Sequence, residues 1–271
     1  MPLWKQGENV WFLSEMEIAA TMSDRNITAL ITGASAGLGA EFCRQLADRC
    51  DVIIAVARRT EPMQCIAEEL KDKAEVHIVE ADLTTIEGVA RATEAIRQQG
   101  PLDYLINNAG FSAIGNFERG EIDDQLAMVN LHIGATLSLC RAAIPYMREI
   151  GGGYIVNVSS VGAFLPSPGV SVYSATKAFL NAYSVSLQAE LAGSGILVQS
   201  LCPGYTRTEI HDTDAMKSFD KAMVPDEYWM EVGPVVRASL DGLSSEDVIL
   251  VVGENNLALV KKVLKTQLDS L

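Results

Sequence analysis

The chain has 271 residues, of which 48% are hydrophobic and 21% charged, and its formal net charge is −14. This composition is typical of a globular protein that can bury a substantial core as one domain. The acidic balance argues against a nucleic-acid or anionic-membrane surface, because binding phosphates needs a basic excess.

The first 25 residues differ in composition from the rest of the chain. Val10–Leu13 is apolar, but acidic residues surround it, and the segment lacks the basic start and cleavage site of a secretory signal. We expect residues 1–25 to be a loosely attached extension, with Met22 available as an alternative start, and residues 26–271 to form a single domain. No apolar run is long enough to span a membrane.

From Asn26 onwards, short apolar runs alternate with stretches of helical periodicity. The runs predict strands at residues 27–32, 51–56, 76–79, 102–106, 154–158, 196–201 and 247–252. A long helix is predicted from about Asp123 to Arg148, with an apolar stripe of Leu126, Val129, Ile133 and Leu137. Further helices are predicted at residues 173–191 and 257–264. The pattern indicates the α/β class: a doubly wound, Rossmann-type parallel sheet of about seven strands with helices on both faces.

A glycine-rich turn joins the first strand to the first helix. Gly33 permits a tight turn, and Gly37 and Gly39 allow the backbone to approach a pyrophosphate at the helix N-terminus. The context of strand, turn and helix therefore predicts a nucleotide-binding loop. Its residues are Gly33, Ser35, Ala36, Gly37, Leu38 and Gly39.

The end of the second strand, Ala57-Arg58-Arg59, bears on the choice of cofactor. An acidic residue at this position would bind the free 2′-hydroxyl of NAD, whereas arginines match the 2′-phosphate of NADP. We therefore expect NADP(H) rather than NAD(H), with Arg58 as the main contact and Arg59 as the second. The alternative is a pair of solvated arginines in a turn.

Two further strand ends carry candidate cofactor residues. Asp82 could contact adenine through its carboxylate or through the Leu83 amide, or it could simply begin the turn ahead of a helix cap at Thr84. At the end of the fourth strand, Asn108 could hold neighbouring strands together by bonding their backbone. Ala109 and Gly110, which come directly after it, leave room for a ribose.

Tyr173 and Lys177 are four residues apart on a predicted helix, so they share one face. A nearby ammonium favours the phenolate, and we expect it to lower the pKa of Tyr173 towards neutrality. Ser160 ends an apolar strand and could bond a substrate oxygen. Asn130, in the middle of a helix, is either a site residue or an exposed polar residue. His77 and His132 lack metal-ligand spacing, so we interpret both as structural and expect no metal site.

These motifs together resemble the short-chain dehydrogenase/reductase family, in its shorter single-domain branch. The resemblance covers about residues 27–208 and rests on the glycine turn, Asp82, Asn107-Asn-Ala-Gly110, Asn130, Ser160, Tyr173-x-x-x-Lys177 and Pro203-Gly204. It implies a single catalytic centre, in which Tyr173 is the general acid/base and Ser160 orients the carbonyl. Lys177 would lower the pKa of Tyr173 and bind the nicotinamide ribose, and Asn130 would position a water that links Lys177 to solvent.

The resemblance also implies further cofactor contacts and an activity. Pro203 and Gly204 would border the nicotinamide, and Thr208, with Thr206 as the alternative, would bond its carboxamide. The implied function is an NADP(H)-dependent oxidoreductase that interconverts a carbonyl and a secondary alcohol. Two alternatives remain: a nucleotide-sensing binding protein, and a non-redox sugar-nucleotide enzyme on the same fold.

The segment of residues 205–232 is a candidate substrate lid, because it would lie over the strand ends. Its Met216, Phe219, Met223, Tyr228 and Trp229, with Phe164, Leu165 and Pro166 facing them, indicate a partly apolar small-molecule pocket. An aromatic lid could equally be a dimer contact. We expect a homodimer or homotetramer. The five scattered cysteines of the chain suit a cytoplasmic protein with reduced thiols.

Overall fold

Parallel strands form the centre of the molecule. The computed structural model describes residues 25–212, 216–217, 219–245 and 247–270. Their strands are β1 (Thr28–Thr32), β2 (Val52–Ala57), β3 (Glu75–Glu80), β4 (Tyr104–Asn107), β5 (Gly153–Val158), β6 (Ile196–Cys202), β7 (Tyr205–Thr206), β8 (Trp229–Met230) and β9 (Ile249–Val251). Seven of them form one parallel sheet in the order β3-β2-β1-β4-β5-β6-β9. The predicted sheet is therefore confirmed.

Eight α-helices accompany these strands in the described part of the chain. They are α1 (Gly37–Leu46), α2 (Thr60–Leu70), α3 (Ile86–Gln99), α4 (Ile122–Val129), α5 (Thr136–Glu149), α6 (Ser171–Glu190), α7 (Val232–Asp241) and α8 (Glu254–Asp269). Short 3₁₀ helices lie at Phe117–Arg119, Val161–Ala163, Glu209–Asp212, Lys221–Met223 and Asp226–Tyr228. Residues 1–24, which include most of the predicted extension, lie outside the described residues.

The sheet has a hydrophobic core on each face, as a doubly wound fold requires. One core contains Phe42 of α1 and Val235 of α7, and the other contains Ile96 of α3, Leu139 of α5 and Leu187 of α6. β1 and β2 are buried along their whole length, because helices cover them from both sides. All strands of this sheet run in one direction, so their carboxyl ends meet at one edge.

The predicted long helix is continuous, but its buried face is not the predicted stripe. A π-helix, Asn130–Ala135, joins α4 to α5. Met128, His132 and Thr136, spaced four apart, are buried, whereas Leu126 and Leu137 are exposed. The buried face mixes polar residues such as His132 and Thr136 with apolar ones such as Met128, so hydropathy alone selected the wrong face.

The helical stretch Ile122–Glu149 is long and apolar enough to cross a membrane by length and composition, with a mean hydropathy of 1.3 over an 18-residue window within it. In the fold, however, its α5 portion packs against β4 and β5, and α4 contacts α6. Of the most apolar 18 residues of this stretch, 39% are buried inside the fold.

The segment after β6 contains structure that the sequence pattern does not reveal. β7 and β8 pair as a short parallel ribbon, with Tyr205 opposite Trp229 and Thr206 opposite Met230. The ribbon brings the two ends of the predicted lid together, and α7 comes directly after it. The last helix, α8, is longer at both ends than predicted.

Candidate active site

The glycine turn forms a cradle without side chains at the carboxyl end of β1. Gly33 and Gly37 have φ angles of +68° and +55°, which favour glycine. A Cβ on Gly39 would lie 2.2 Å from the Gly33 carbonyl oxygen, so no side chain fits there. Ala36 gives α1 no side-chain cap, and the first turn of α1 holds no acidic residue. Its free N–H groups can therefore receive a phosphate.

Asn108 ties the end of β4 to the end of β1. Its Nδ2 donates to the Thr32 carbonyl oxygen at 2.8 Å, while Thr32 Oγ1 accepts from the backbone N–H groups of Asn108 and Ala109, each at 2.9 Å. The expectation that Asn108 holds strands together is confirmed. These bonds fix Ala109 and Gly110 beside the glycine cradle.

Ser160, Tyr173 and Lys177 come together at the ends of β5 and α6. Lys177 Nζ lies 5.7 Å from the centroid of the Tyr173 ring and donates to the Val158 carbonyl oxygen at 2.8 Å. Ser160 Oγ hydrogen-bonds the Tyr173 phenol and accepts from Gly162 N–H. Ser159 points elsewhere, because its Oγ donates to the Lys177 carbonyl oxygen. This difference favours Ser160 over Ser159 at the site.

Burial dominates the protonation of these groups. It raises the pKa of Tyr173, and the hydrogen bond from Ser160 only partly opposes the effect. It also lowers the pKa of Lys177 from 10.5 to about 8. The expected lowering of the Tyr173 pKa by Lys177 is therefore not found here, because loss of solvation outweighs the effect of any nearby charge on the phenol.

Asn130 and His132 lie on opposite sides of the same helix: Asn130 faces solvent, and His132 faces the interior. The Asn130 side chain is exposed and has no hydrogen bond to another described residue. His132 is 1% exposed, and its ring centroid lies 6.0 Å from that of Tyr173 in an edge-on arrangement. His132 is thus a site residue that sequence reasoning missed. Its spacing of four residues from both Met128 and Thr136 was the available signal.

Two arginines lie at the end of β2. Arg58 is exposed, and its charge contributes to lowering the pKa of Asp82. Arg59 Nη2 lies 3.4 Å from Ser35 Oγ of the glycine turn and 2.8 Å from Glu209 Oε2. Arg59 therefore lies beside the glycine turn, with Glu209 as its ion-pair partner.

Asp82 begins a turn, as the alternative interpretation stated. Its Oδ1 accepts from both N and Oγ1 of Thr84. Burial alone would raise the pKa of Asp82, but these bonds and the charge of Arg58 lower it overall. The helix cap is Thr85 rather than Thr84, because Thr85 Oγ1 accepts from Gly88 N–H. Leu83 is buried in the core.

The segment Pro203–Thr208 passes between the serine and the glycine turn. The Pro203 carbonyl oxygen accepts from Val161 N–H, and Thr206 Oγ1 donates to the Gly204 carbonyl oxygen. Thr208 packs its methyl group over Gly37, where a Cβ would lie 3.1 Å from it. Thr208 therefore lies next to the cradle, while Thr206 is buried.

The lid forms an aromatic cluster in its described part. Tyr205 stacks on Phe219 with centroids 5.6 Å apart, and its ring lies 5.5 Å from Trp229. Met216 is buried, but Met223 is 80% exposed. Tyr205 also makes a small electrostatic contribution to raising the pKa of Tyr173.

Phe164 and Pro166 line a different space. They border a cavity of about 590 Å³ together with Ser174 of α6 and Leu264 of α8. No described residue of the lid lines this cavity. That Phe164, Leu165 and Pro166 face the segment of residues 205–232 stays a prediction.

Comparison with known proteins agrees with this architecture. The family profile described as short chain dehydrogenase matches residues 27–217. An uncharacterized oxidoreductase of Staphylococcus epidermidis is 33% identical over 181 residues, 66% of this chain and 78% of the relative.

Two solved structures are similar over nearly the whole chain. A short-chain dehydrogenase from Sphingobium yanoikuyae, in complex with NADPH, has 32% identity and a TM-score of 0.77, covering 90% of this chain and 96% of its own. A bulky-bulky ketone specific alcohol dehydrogenase from Comamonas testosteroni has 29% identity and a TM-score of 0.74, covering 90% and 94%. The chain therefore belongs to the short-chain dehydrogenase family of oxidoreductases.

Proposed function

We propose that this protein is an NADP(H)-dependent oxidoreductase that interconverts a carbonyl and a secondary alcohol by hydride transfer, with Tyr173 as general acid/base. The observation that carries the proposal is the convergence of Ser160, Tyr173 and Lys177 beside a cradle that has no room for side chains. A protein that only sensed nucleotides would not need this proton-transfer group.

A nicotinamide cofactor, when bound, would supply the hydride in reduction and take it up in oxidation. In the reductive direction, Tyr173 donates its phenolic proton to the carbonyl oxygen as negative charge develops there. Ser160 donates a hydrogen bond to the same oxygen and orients it. The raised pKa of Tyr173 keeps the phenol protonated near neutral pH, which suits a proton donor. Lys177 stabilises the phenolate that remains.

The preference for NADP(H) is supported by the charge at the end of β2. Arg58 and Arg59 are the residues that would meet a 2′-phosphate, and Ser35 adds a hydroxyl beside Arg59. The similar dehydrogenase from Sphingobium yanoikuyae is in complex with NADPH. Glu209 is a competing partner for Arg59, which leaves Arg58 as the main expected contact.

The aromatic residues of the proposed lid bear on the class of substrate. Tyr205, Phe219 and Trp229 favour a carbonyl or alcohol with a partly apolar body. The similar enzyme from Comamonas testosteroni is specific for bulky-bulky ketones. Exposed apolar side chains on neighbouring helices, Leu126, Leu137 and Val185, support a homo-oligomer.

The test is turnover of a panel of ketones and aldehydes, monitored by NADPH absorbance, in wild type and Tyr173→Phe. We expect the variant to lose about two to four orders of magnitude in turnover and to keep NADPH binding, because the phenol is not the main anchor. Tyr154→Phe is the matched control, because Tyr154 stacks on Tyr104 rather than facing the site.

Other outcomes identify the alternatives. Near-normal turnover in Tyr173→Phe would overturn the assigned mechanism. Nucleotide binding without turnover of any carbonyl by wild type would favour a sensing protein. A tightly retained cofactor with no net redox change would favour a sugar-nucleotide enzyme.

A further inference from the structure

His132 lies in the centre of the site, although it belongs to no motif that the proposed function uses. It is the third residue of the π-helix, a rare helical form that is frequent at functional sites. Its Nε2 lies against Gly110, where a Cβ would be 2.8 Å from that nitrogen and 3.6 Å from Lys177 Nζ. The imidazole of His132 and the ammonium of the proposed catalytic Lys177 therefore lie beside the same glycine, Gly110.

The hydrogen bonds of His132 define its tautomer. Thr176 Oγ1 donates its single proton to the Tyr173 carbonyl oxygen at 2.8 Å. The contact of 2.9 Å between His132 Nδ1 and Thr176 Oγ1 therefore requires the proton on Nδ1. Nε2 then accepts from Phe111 N–H at 3.3 Å. Each donor in this chain of three bonds has one acceptor.

A second proton on the ring does not fit. It would direct Nε2–H at the Phe111 N–H group and place a cation beside Lys177. Burial lowers the pKa of His132 well below its usual value, and the charge of Lys177 lowers it further. Tyr173 and Lys177 of α6 are the titratable groups that the structure places against the ring, while the Gly110–Phe111 segment contributes backbone.

We propose that His132 is a positioning residue: as a neutral imidazole it links the Phe111 backbone, through Thr176, to the Tyr173 backbone. The inference rests on the proposed function, because the Asn108–Gly110 segment borders the expected nicotinamide ribose and Tyr173 is the proton donor. The link holds the segment beside the cofactor and the catalytic helix at a fixed separation. Hydride and proton transfer need this separation to be correct at the same moment.

The first test compares His132→Leu and His132→Gln with wild type. His132→Leu should lower kcat about ten- to a hundredfold, because misplacement by a fraction of an ångström costs rate, and should change the Kd for NADPH less than about threefold. His132→Gln should recover part of kcat, since an amide oxygen can accept from Phe111. His77→Leu is the control, because His77 lies beside Glu75 on β3.

The second test is independent of activity. A buried neutral imidazole with a lowered pKa makes the unfolded state bind more protons as pH falls below about 6.5. Urea unfolding should therefore show wild type losing stability with falling pH in this range, and both His132 variants losing less. The acid limb of the pH profile of kcat should also differ between wild type and the His132 variants, and should be the same in wild type and His77→Leu.

The outcomes separate the inference from the proposed function. Wild-type kcat and an unchanged acid limb in both His132 variants, with Tyr173→Phe inactive, would overturn the role of His132 alone. Absence of carbonyl turnover by wild type would overturn the proposed function. If His132→Leu does not fold, His132→Gln and its pH-dependent stability decide the question.

Discussion

The two ends of the proposed cofactor site differ in their contact with water. Lys177 is 5% exposed, and burial sets the pKa of both Lys177 and Tyr173. At the other end, the side chains of Arg59 and Glu209 are 52% and 65% exposed and form an ion pair. Charges in solvent interact weakly and are screened by salt, whereas buried charges are screened much less.

This difference assigns separate tasks to the two ends. Substitutions at the buried end should change turnover and pH dependence, because they act on proton affinity. Substitutions at the exposed end should change cofactor affinity and its salt dependence. Three substitutions can test this division of tasks between the two ends.

Among the effects that can be measured without a substrate, we expect the largest to be the contribution of Lys177 to the pH dependence of stability. Its pKa is 10.5 when unfolded and about 8 when folded, so the unfolded chain binds more protons between these values. Wild-type stability relative to Lys177→Met should therefore rise by about 3 kcal/mol as pH increases from about 8 to 10.5. Urea unfolding of both proteins at several pH values measures this difference.

Taking the difference removes groups that titrate in the same range but do not interact with Lys177, whereas Cys202 does interact with it. Burial raises the pKa of Cys43, Cys50 and Cys140 to about 12, which lowers stability at alkaline pH in both proteins equally. Lys73→Met is the control, because Lys73 is half exposed and pairs with Asp48 on the surface. A difference that stays flat with pH would show that Lys177 is solvated, and the two ends would then not differ as described.

The same contrast explains which features the sequence predicts. Continuous apolar runs indicated the strands of the main sheet to within about two or three residues, because burial on both faces leaves a strong signal. The glycine turn and Asn108 were predictable because their roles depend on backbone geometry. β7 and β8 are two residues each, too short for any periodicity to appear.

The buried polar residues were the least predictable part. Asn130 and His132 occupy opposite sides of one helix, and hydropathy favours neither for the interior. The raised pKa of Tyr173 was also missed, because a spacing of four residues reports a neighbouring charge but not the loss of solvent. The burial of His132 depends on the elements that pack against its helix, here α6 and the Gly110–Phe111 segment. The pKa of Tyr173 likewise depends on how the elements around it exclude solvent.

A smaller effect is expected from Arg58→Ala at the exposed end. Loss of one charge-assisted phosphate contact costs about 1.5–3 kcal/mol, so NADPH affinity should fall about ten- to a hundredfold. NADH affinity should hardly change, because NADH has no 2′-phosphate. Titration of both cofactors against wild type and variant measures this, with Arg97→Ala, an exposed arginine on α3, as control. A wild-type preference for NADH would contradict the assignment of NADP(H).

The smallest effect should come from Glu209→Gln. Glu209 holds Arg59 at 2.8 Å in an exposed ion pair, and such pairs contribute at most about 1 kcal/mol. A 2′-phosphate would have to compete with this carboxylate for Arg59. Removing the charge should therefore strengthen NADPH binding about two- to fivefold at low salt, leave NADH unchanged, and lose its effect as salt increases. Glu69→Gln is the matched control, because Glu69 pairs with Arg44 at 2.9 Å away from the site. Weaker NADPH binding in Glu209→Gln would instead mean that the pair orients Arg59 for the phosphate, and that the exposed end is built as rigidly as the buried one.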